Sequence, residues 1–247
     1  MMDLQGHIAL VTGASRGIGE AIAGVVARAG ADVAIGYGHD QEGAERLVRQ
    51  IGEMGRRAIA VGGDVGDPAQ VAAMADTAER ELGPIDILVS NAGIGPRQNL
   101  EEITVEDWDR VMNVNLRPAF LLAQRLTPGM RDRGWGRVIL ISSVAAFTGG
   151  IVGPHYATSK AGLIGLMHAL AGPLAPYGVT VNAVAPALVE GGMTLPGDTE
   201  YYRELAKRVP VGRLGRPKEV AEIVLAIIAN PFITAQTISV NGGLFPS

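Results

Sequence analysis

Short, nearly continuous apolar runs recur along the chain at 7–12 (HIALVT), 32–37 (DVAIGY), 57–62 (RAIAVG), 85–90 (IDILVS), 137–142 (RVILIS), 179–185 (VTVNAVA) and 237–241 (TISVN). Runs of this length with no polar face are the pattern of strands buried on both sides, as in a parallel sheet. Between them, residues 18–29, 41–54, 68–82, 105–132, 156–175 and 217–229 carry apolar positions at helical spacing. Pro68 opens one of these helices in its first turn, where a missing N–H costs nothing. Residues 188–210 are looser and mix polar with aromatic side chains. Strands alternating with helices predict an α/β fold. Right-handed crossovers make it a doubly wound parallel sheet of about seven strands with helices on both faces. No repeat, low-complexity tract or linker divides the chain, so residues 1–247 are expected to form a single domain.

Ligands of such sheets bind beyond the carboxyl ends of the strands, which directs attention to the residues that follow each run. After the first comes TGASRGIG, with Gly13, Gly17 and Gly19 spaced G-x-x-x-G-x-G. This is neither the G-x-G-x-x-G fingerprint nor a P-loop. It is either a plain βα turn or a close-approach loop whose following helix offers free N–H groups to an anion. After the third run stand Asp64 and Val65, and after the fourth Ser90, Asn91, Ala92 and Gly93. A lone Asp or Asn there is ordinarily a cap or turn former, but all these residues share one sheet edge.

The fifth run ends at Ser142 and Ser143, and the next helix carries Tyr156 and Lys160. Positions i and i+4 share a helix face, so both side chains are expected to point toward the edge that carries Ser143. An ammonium beside a phenol is expected to lower the phenol's pKa from about 10. Such a group donates a proton to a carbonyl oxygen or takes one from an alcohol. Taken alone, a Y-x-x-x-K pair reads far more readily as a surface pair on an amphipathic helix.

Composition narrows the classes. Of the 247 residues 47% are apolar and 19% charged, the balance of a soluble globular domain. About 75% of the unfolded chain's surface is expected to be buried at this size, so the core needs no staples. With no cysteine, disulfides, thiolate metal sites and cysteine nucleophiles are excluded, which fits a reducing cytoplasm. Four histidines without ligand-like pairing predict no metal site. A net charge of −4 speaks against a nucleic-acid partner. No apolar run reaches the ~18 residues of a membrane span, and MMDLQGHIALVTGAS lacks the basic and apolar regions of a signal peptide.

TGASRGIG (12–19), NAG (91–93), Ser143, Y-x-x-x-K (156–160), VNAVAP (181–186) and VNGG (240–243) stand in an order and spacing that resembles the short-chain dehydrogenase/reductase family. The likeness runs from Gly6 to Gly243 and is strongest to 3-oxoacyl-thioester ketoreductases and related carbonyl reductases. It implies a Rossmann-type fold, a nicotinamide cofactor and hydride transfer at a C=O/CH–OH carbon. It implies Tyr156 as acid/base, with Lys160 depressing its pKa and binding the nicotinamide ribose. It implies Ser143 as the group that polarises the substrate oxygen. Asn115 matches the asparagine of a water-mediated proton relay; the family's residue directly precedes a leucine, which selects Asn115 over Asn113. Cofactor contacts are expected from Gly13, Ser15, Arg16, Gly17, Ile18, Gly19, Tyr37, Gly38, Asp64, Val65, Asn91, Ala92, Gly93, Tyr156, Lys160, Pro186, Val189 and Thr194.

Tyr37 and Gly38 stand where NAD enzymes of this kind place an acid for the ribose 2′-OH. With Arg16 in the Gly-rich loop and His39 nearby, NADP(H) is expected in preference to NAD(H). The family's Pro-Gly after the sixth strand is Pro186-Ala187 here, and its usual threonine is Gly191, which leaves Thr194 as substitute. Members are usually homotetramers, and GGLFPS at the end of the chain suits a subunit contact. Gly172 stands where acyl-carrier-protein reductases tend to have a basic residue, which speaks against a carrier protein; Arg131 and Arg133 are the remaining candidates for carrier contacts, though arginines at a helix end ordinarily favour its C-terminal dipole. Residues 188–210 match the family's substrate lid. Pro118 withholds an N–H from the carbonyl of Val114, and is expected to open the helix near Asn115 for ordered water. A secondary-alcohol dehydrogenase running the same chemistry backwards and a non-catalytic dinucleotide-binding protein are the alternative readings.

Overall fold

The apolar runs become β1 (Ile8–Val11), β2 (Asp32–Tyr37), β3 (Ala58–Gly62), β4 (Ile87–Ser90), β5 (Gly136–Ile141), β6 (Val179–Pro186) and β7 (Thr237–Val240). They join one seven-stranded sheet in the order β3-β2-β1-β4-β5-β6-β7, and every neighbouring pair is parallel. The computed structural model describes residues 3–191 and 199–245. The helices are α1 (Gly17–Arg28), α2 (Gln41–Glu53), α3 (Pro68–Leu82), α4 (Val105–Asn115), α5 (Arg117–Asp132), α6 (Ala145–Thr148), α7 (Pro154–Leu174), α8 (Thr199–Lys207) and α9 (Pro217–Ala229). Among the described residues no helix is long and apolar enough to cross a membrane.

The period of two along each strand divides the core into two layers. Ala9, Val11, Val33, Ile35, Val89 and Ile139 face the layer that holds α1, α2 and α9. Leu10, Ala34, Leu88, Val138 and Leu140 face α3, α5 and α7 on the other side. Both faces are covered, which is why the strands read as continuous apolar runs rather than alternating ones. Burying one Leu or Ile stabilises by about 1.5–3 kcal/mol. Leu10, Leu88, Ile35 and Ile139 at the sheet centre are fully buried. Side-chain caps start the helices of one edge. Asp40 accepts from the Gly43 N–H before α2, Asp67 from the Ala69 N–H before α3, and Thr104 from the Asp107 N–H before α4.

The helix expected over 105–132 is two helices. α4 ends at Asn115 and α5 begins at Arg117, with Leu116 between them at φ −115° and ψ −51°. Pro118 is the reason. It cannot donate to the Val114 carbonyl, but in the first turn of a new helix no donor is required of it. The apolar periodicity is the same on both sides of Leu116, so the pattern alone does not show the break. Within the segment 188–210, residues 192–198 lie outside those described; α8 occupies Thr199–Lys207. Val189 bridges to Gly215, which ties the start of this segment to the chain before α9.

Candidate active site

Parallel strands bring every carboxyl end to one edge, and the sheet order reverses between β1 and β4 there. A cavity of about 1110 Å³ opens along this edge. It is lined by Gly13, Ser15, Arg16, Gly17, Ile18, Gly19, Tyr37, Gly38, Asp64, Val65, Asn91, Ala92, Gly93, Ser143, Tyr156, Lys160, Pro186 and Val189. These are the residues singled out from the sequence, with two exceptions. Thr194 lies outside the described residues. Asn115 is 2% exposed and sits behind the wall rather than in it, whereas Asn113 does line the cavity.

The floor of the cavity is backbone brought close to backbone. Gly13 has φ +64°, and a Cβ there would meet Cα of Ala92 at 2.9 Å. A Cβ on Gly19 would collide with the Gly13 carbonyl and lie 2.6 Å from Nδ2 of Asn91. Asn91 fixes the loop by donating to the carbonyls of Thr12 at 2.9 Å and Gly13 at 3.0 Å. Thr12 returns the contact, its Oγ1 accepting from the N–H groups of Asn91 and Ala92, each at 3.0 Å. Thr12 was not singled out from the sequence, because a threonine ending a strand looks like any β-former. Arg16, at the start of α1, makes no capping side-chain bond. The first-turn N–H groups of α1 therefore remain open to an anion. Gaps that admit no Cβ, an uncapped helix start and the volume of the cavity together fit a dinucleotide with its pyrophosphate at α1.

The catalytic end is held by buried hydrogen bonds. Lys160 is 2% exposed and its Nζ donates to the Ile141 carbonyl at 2.9 Å. The Ser142 hydroxyl donates to the Lys160 carbonyl at 2.8 Å. Nζ lies 5.6 Å from the centre of the Tyr156 ring, and the Ser143 hydroxyl is near enough to the phenol to pull its pKa down. Asn115 is clamped. Its Oδ1 accepts from the Ile94 N–H at 2.8 Å, and its Nδ2 donates to the Ile94 carbonyl at 2.9 Å and to the Ser159 hydroxyl at 3.0 Å. Ser159 donates in turn to the Tyr156 carbonyl at 2.7 Å. A Cβ on Gly93 would lie 3.1 Å from Oδ1 of Asn115 and 3.5 Å from Nζ of Lys160, so glycine is what lets the β4 loop reach this centre.

The electrostatics correct one expectation. Burial pushes the Tyr156 phenol above its ordinary 10.0, against a smaller opposing pull from the Ser143 hydrogen bond. Burial outweighs the pull expected from the Lys160 ammonium, whose Nζ is aimed at the Ile141 carbonyl. Burial lowers Lys160 from 10.5 to about 8. The phenol is thus a protonated donor at neutral pH, and the lysine remains cationic below about 8.

Other expectations resolve by position. Ala187 and Gly191, where the motif departs from the resembled pattern, also line the cavity; Gly191 has φ +67°. Glu106, Asp109, Arg110 and Asn113 present one polar face of α4 to it, a face visible in their i, i+3 and i+4 spacing but not singled out. Arg133 is occupied at the opposite edge, donating to Asp86 at 3.1 Å and to the Ile85 carbonyl at 2.8 Å.

This cavity, on this sheet order, defines a dinucleotide-binding oxidoreductase site. The family model described as short chain dehydrogenase matches residues 7–200, and the chain belongs to that family. It is 40% identical over 247 residues to the 3-oxoacyl-(acyl-carrier-protein) reductase FabG of Vibrio cholerae, covering 99% of both chains. It is 38% identical over 246 residues to the protein of that name from Escherichia coli, again covering 99% of both. A blue fluorescent protein from a metagenomic library, solved with NADPH, superposes with a TM-score of 0.92 at 37% identity over 99% of this chain and 100% of that one. A 3-oxoacyl-(acyl-carrier protein) reductase from Brucella melitensis, solved with NAD, gives 0.88 at 36% identity over 98% and 92%.

Two outcomes follow from this geometry. Gly19→Ala is expected to remove measurable dinucleotide binding, read by cofactor fluorescence, because its Cβ would displace the Gly13 carbonyl and Asn91. Lys160→Met is expected to abolish turnover and to change how stability depends on pH. The folded-state pKa of Lys160 is depressed, so the unfolded chain binds the extra proton between pH 8 and 10.5. Stability contributed by this group therefore rises with pH across that window. Denaturant titrations should show the parent gaining on Lys160→Met between these pH values, by at most roughly 3 kcal/mol.

Proposed function

We propose that the protein reduces a ketone carbonyl to a secondary alcohol with NADPH, and that a 3-oxoacyl thioester is its best-matched substrate class. The observation that carries this reading is a buried, protonated Tyr156 with Ser143 and the Lys160 ammonium beside it, all three lining the cavity of the Gly-rich loop. The bound dinucleotide supplies the hydride to the carbonyl carbon. Ser143 and Tyr156 hold the carbonyl oxygen, and the phenol donates its proton there as negative charge develops. Lys160 would hold the ribose hydroxyls of the cofactor and stabilise the phenolate that remains. Asn115, fixed by Ile94 and Ser159, holds the α4–α5 break against α7 and supports proton return to Tyr156.

The choice of NADPH rests on the far end of the cavity. Tyr37 and Gly38 close β2 without a carboxylate, and exposed Arg16 lines the same cavity. Asp40 lines the same end, but its Oδ1 is engaged by the Gly43 N–H at 2.9 Å as the cap of α2. The structural relatives were solved one with NADPH and one with NAD, so the preference rests on these side chains. The curated relatives are named for an acyl-carrier-protein substrate; the chain's exposed Gly172 offers no basic contact for one, which favours a small thioester or ketoester. The exposed Phe120 on α5 offers an apolar contact for a homotetramer.

Absorbance assays with acetoacetyl thioesters, β-ketoesters and simple ketones test the reading. Tyr156→Phe should bind cofactor as the parent does and lose at least ~100-fold in turnover. Arg16→Ala should weaken NADPH roughly tenfold, the worth of one charge-assisted hydrogen bond, and leave NADH within about twofold. Turnover retained in Tyr156→Phe contradicts the acid assignment, and NADH bound more tightly than NADPH contradicts the cofactor preference.

A further inference from the structure

His155 precedes Tyr156 and is fully buried. Nothing in the hydride chemistry uses it. Its Nε2 lies 3.0 Å from Oε1 of Gln98, on the loop that follows β4. Gln98 donates from Nε2 to Oδ2 of Asp107 at 2.8 Å. Asp107 also receives the Thr104 N–H at 3.4 Å, and its own N–H donates to Thr104, so it belongs to the cap of α4. The chain of contacts therefore joins the start of the helix that ends at Asn115 to the first turn of the helix that carries Tyr156.

The direction of each bond is fixed by chemistry. The Asp107 carboxyl is held below its ordinary 3.8, first by the Gln98 hydrogen bond. An ionised carboxylate only accepts, so the Gln98 amide must turn its NH₂ to Asp107 and its oxygen to His155. The imidazole must then carry its proton on Nε2. Nδ1 is left buried and without a hydrogen-bond partner, a site that tolerates a bare lone pair better than an unsatisfied N–H. The backbone is fitted to this arrangement. Gly153 has φ +146°, and a Cβ there would lie 2.5 Å from the Gln98 carbonyl and 3.1 Å from Nδ1 of His155. The Gln98 N–H also donates to the Val152 carbonyl at 3.0 Å. Val152 packs with Tyr156 and Ala145.

We propose that His155, as the neutral Nε2–H tautomer, and Gln98 form a positioning pair, oriented by Asp107, that holds the Tyr156 phenol and the 94–104 loop in register for proton donation to the substrate. The proposal rests on the ketoreductase reading for its kinetic effect and is independent of it for the tautomer. His155 and Gln98 touch neither cofactor nor reacting atoms; they act through Tyr156 and the loop. Their loss should lower kcat rather than cofactor affinity, since small displacements of a reacting group are costly in rate.

The test combines nitrogen NMR of the parent's imidazole with kinetics of four variants. The parent should show His155 neutral with the proton on Nε2. His155→Leu and Gln98→Leu should each lower kcat for β-ketoester reduction about tenfold, with NADPH affinity within about twofold of the parent. The double variant should be no slower than either single, because one interaction is removed in all three. His155→Gln, whose amide N–H reaches the place of Nε2–H, should recover most of the rate. If His155→Leu fails to fold, Gln98→Leu carries the same expectation. An Nδ1–H tautomer, a parental kcat in Gln98→Leu, or a His155→Gln as slow as His155→Leu overturns the proposal. A parent that reduces no ketone overturns the ketoreductase reading instead, and the tautomer result still decides the orientation of the pair.

Discussion

The site depends on one desolvated cation. Lys160 lies on the buried face of α7 with its Nζ against the Ile141 carbonyl at the end of β5. An isolated buried ammonium is costly, and here the cost appears as a pKa lowered to about 8. The fold bears that cost because a cation of fixed position beside a phenol is worth more in a water-poor cavity than on a surface. Everything near it serves to hold it still. Ser142 bonds its carbonyl, Gly93 leaves room for its head, and Ser159 and Asn115 tie the same turn of α7 to the β4 loop. The proton donor and the cation are thereby set by α7 and β5 rather than by mobile loops.

The same edge solves the problem of holding an anionic, extended cofactor. Parallel strands deliver loops to one side, Thr12 and Asn91 lock two of those loops together, and α1 starts without a side-chain cap. Recognition of the dinucleotide is thus largely a matter of backbone, which side-chain composition barely reveals. The NADPH or NAD choice, in contrast, rests on a few side chains at the end of β2, where Asp40 both lines the cavity and caps α2 through Oδ1.

Much of this architecture is legible in the sequence, for a physical reason. Strands covered on both faces must be apolar throughout, so β2, α3 and α9 begin and end where the pattern places them. Boundaries blur where the pattern continues across a break. β4 begins at Ile87, two residues later than the apolar run, and one long helical stretch hides the interruption at Leu116. Pro118 carries the local signal for that break. The site residues are legible where they repeat a motif with a required geometry, as Gly13, Ser143, Tyr156 and Lys160 do. Thr12, Ser159 and the His155–Gln98–Asp107 chain are not, because their partners are remote in sequence and each residue is locally unremarkable. The direction of the Tyr156 shift is hidden for a related reason. Spacing shows that Lys160 is near, but only the packed structure shows that burial outweighs it.

Direct titration of the Lys160 ammonium by NMR in the cofactor-free protein tests the central claim. The account predicts a side chain that loses its proton near pH 8, well below its unfolded-chain value. A lysine that titrates at the ordinary 10.5, with rapid solvent exchange, would mean that the cation is hydrated and that the buried donor site described above does not exist.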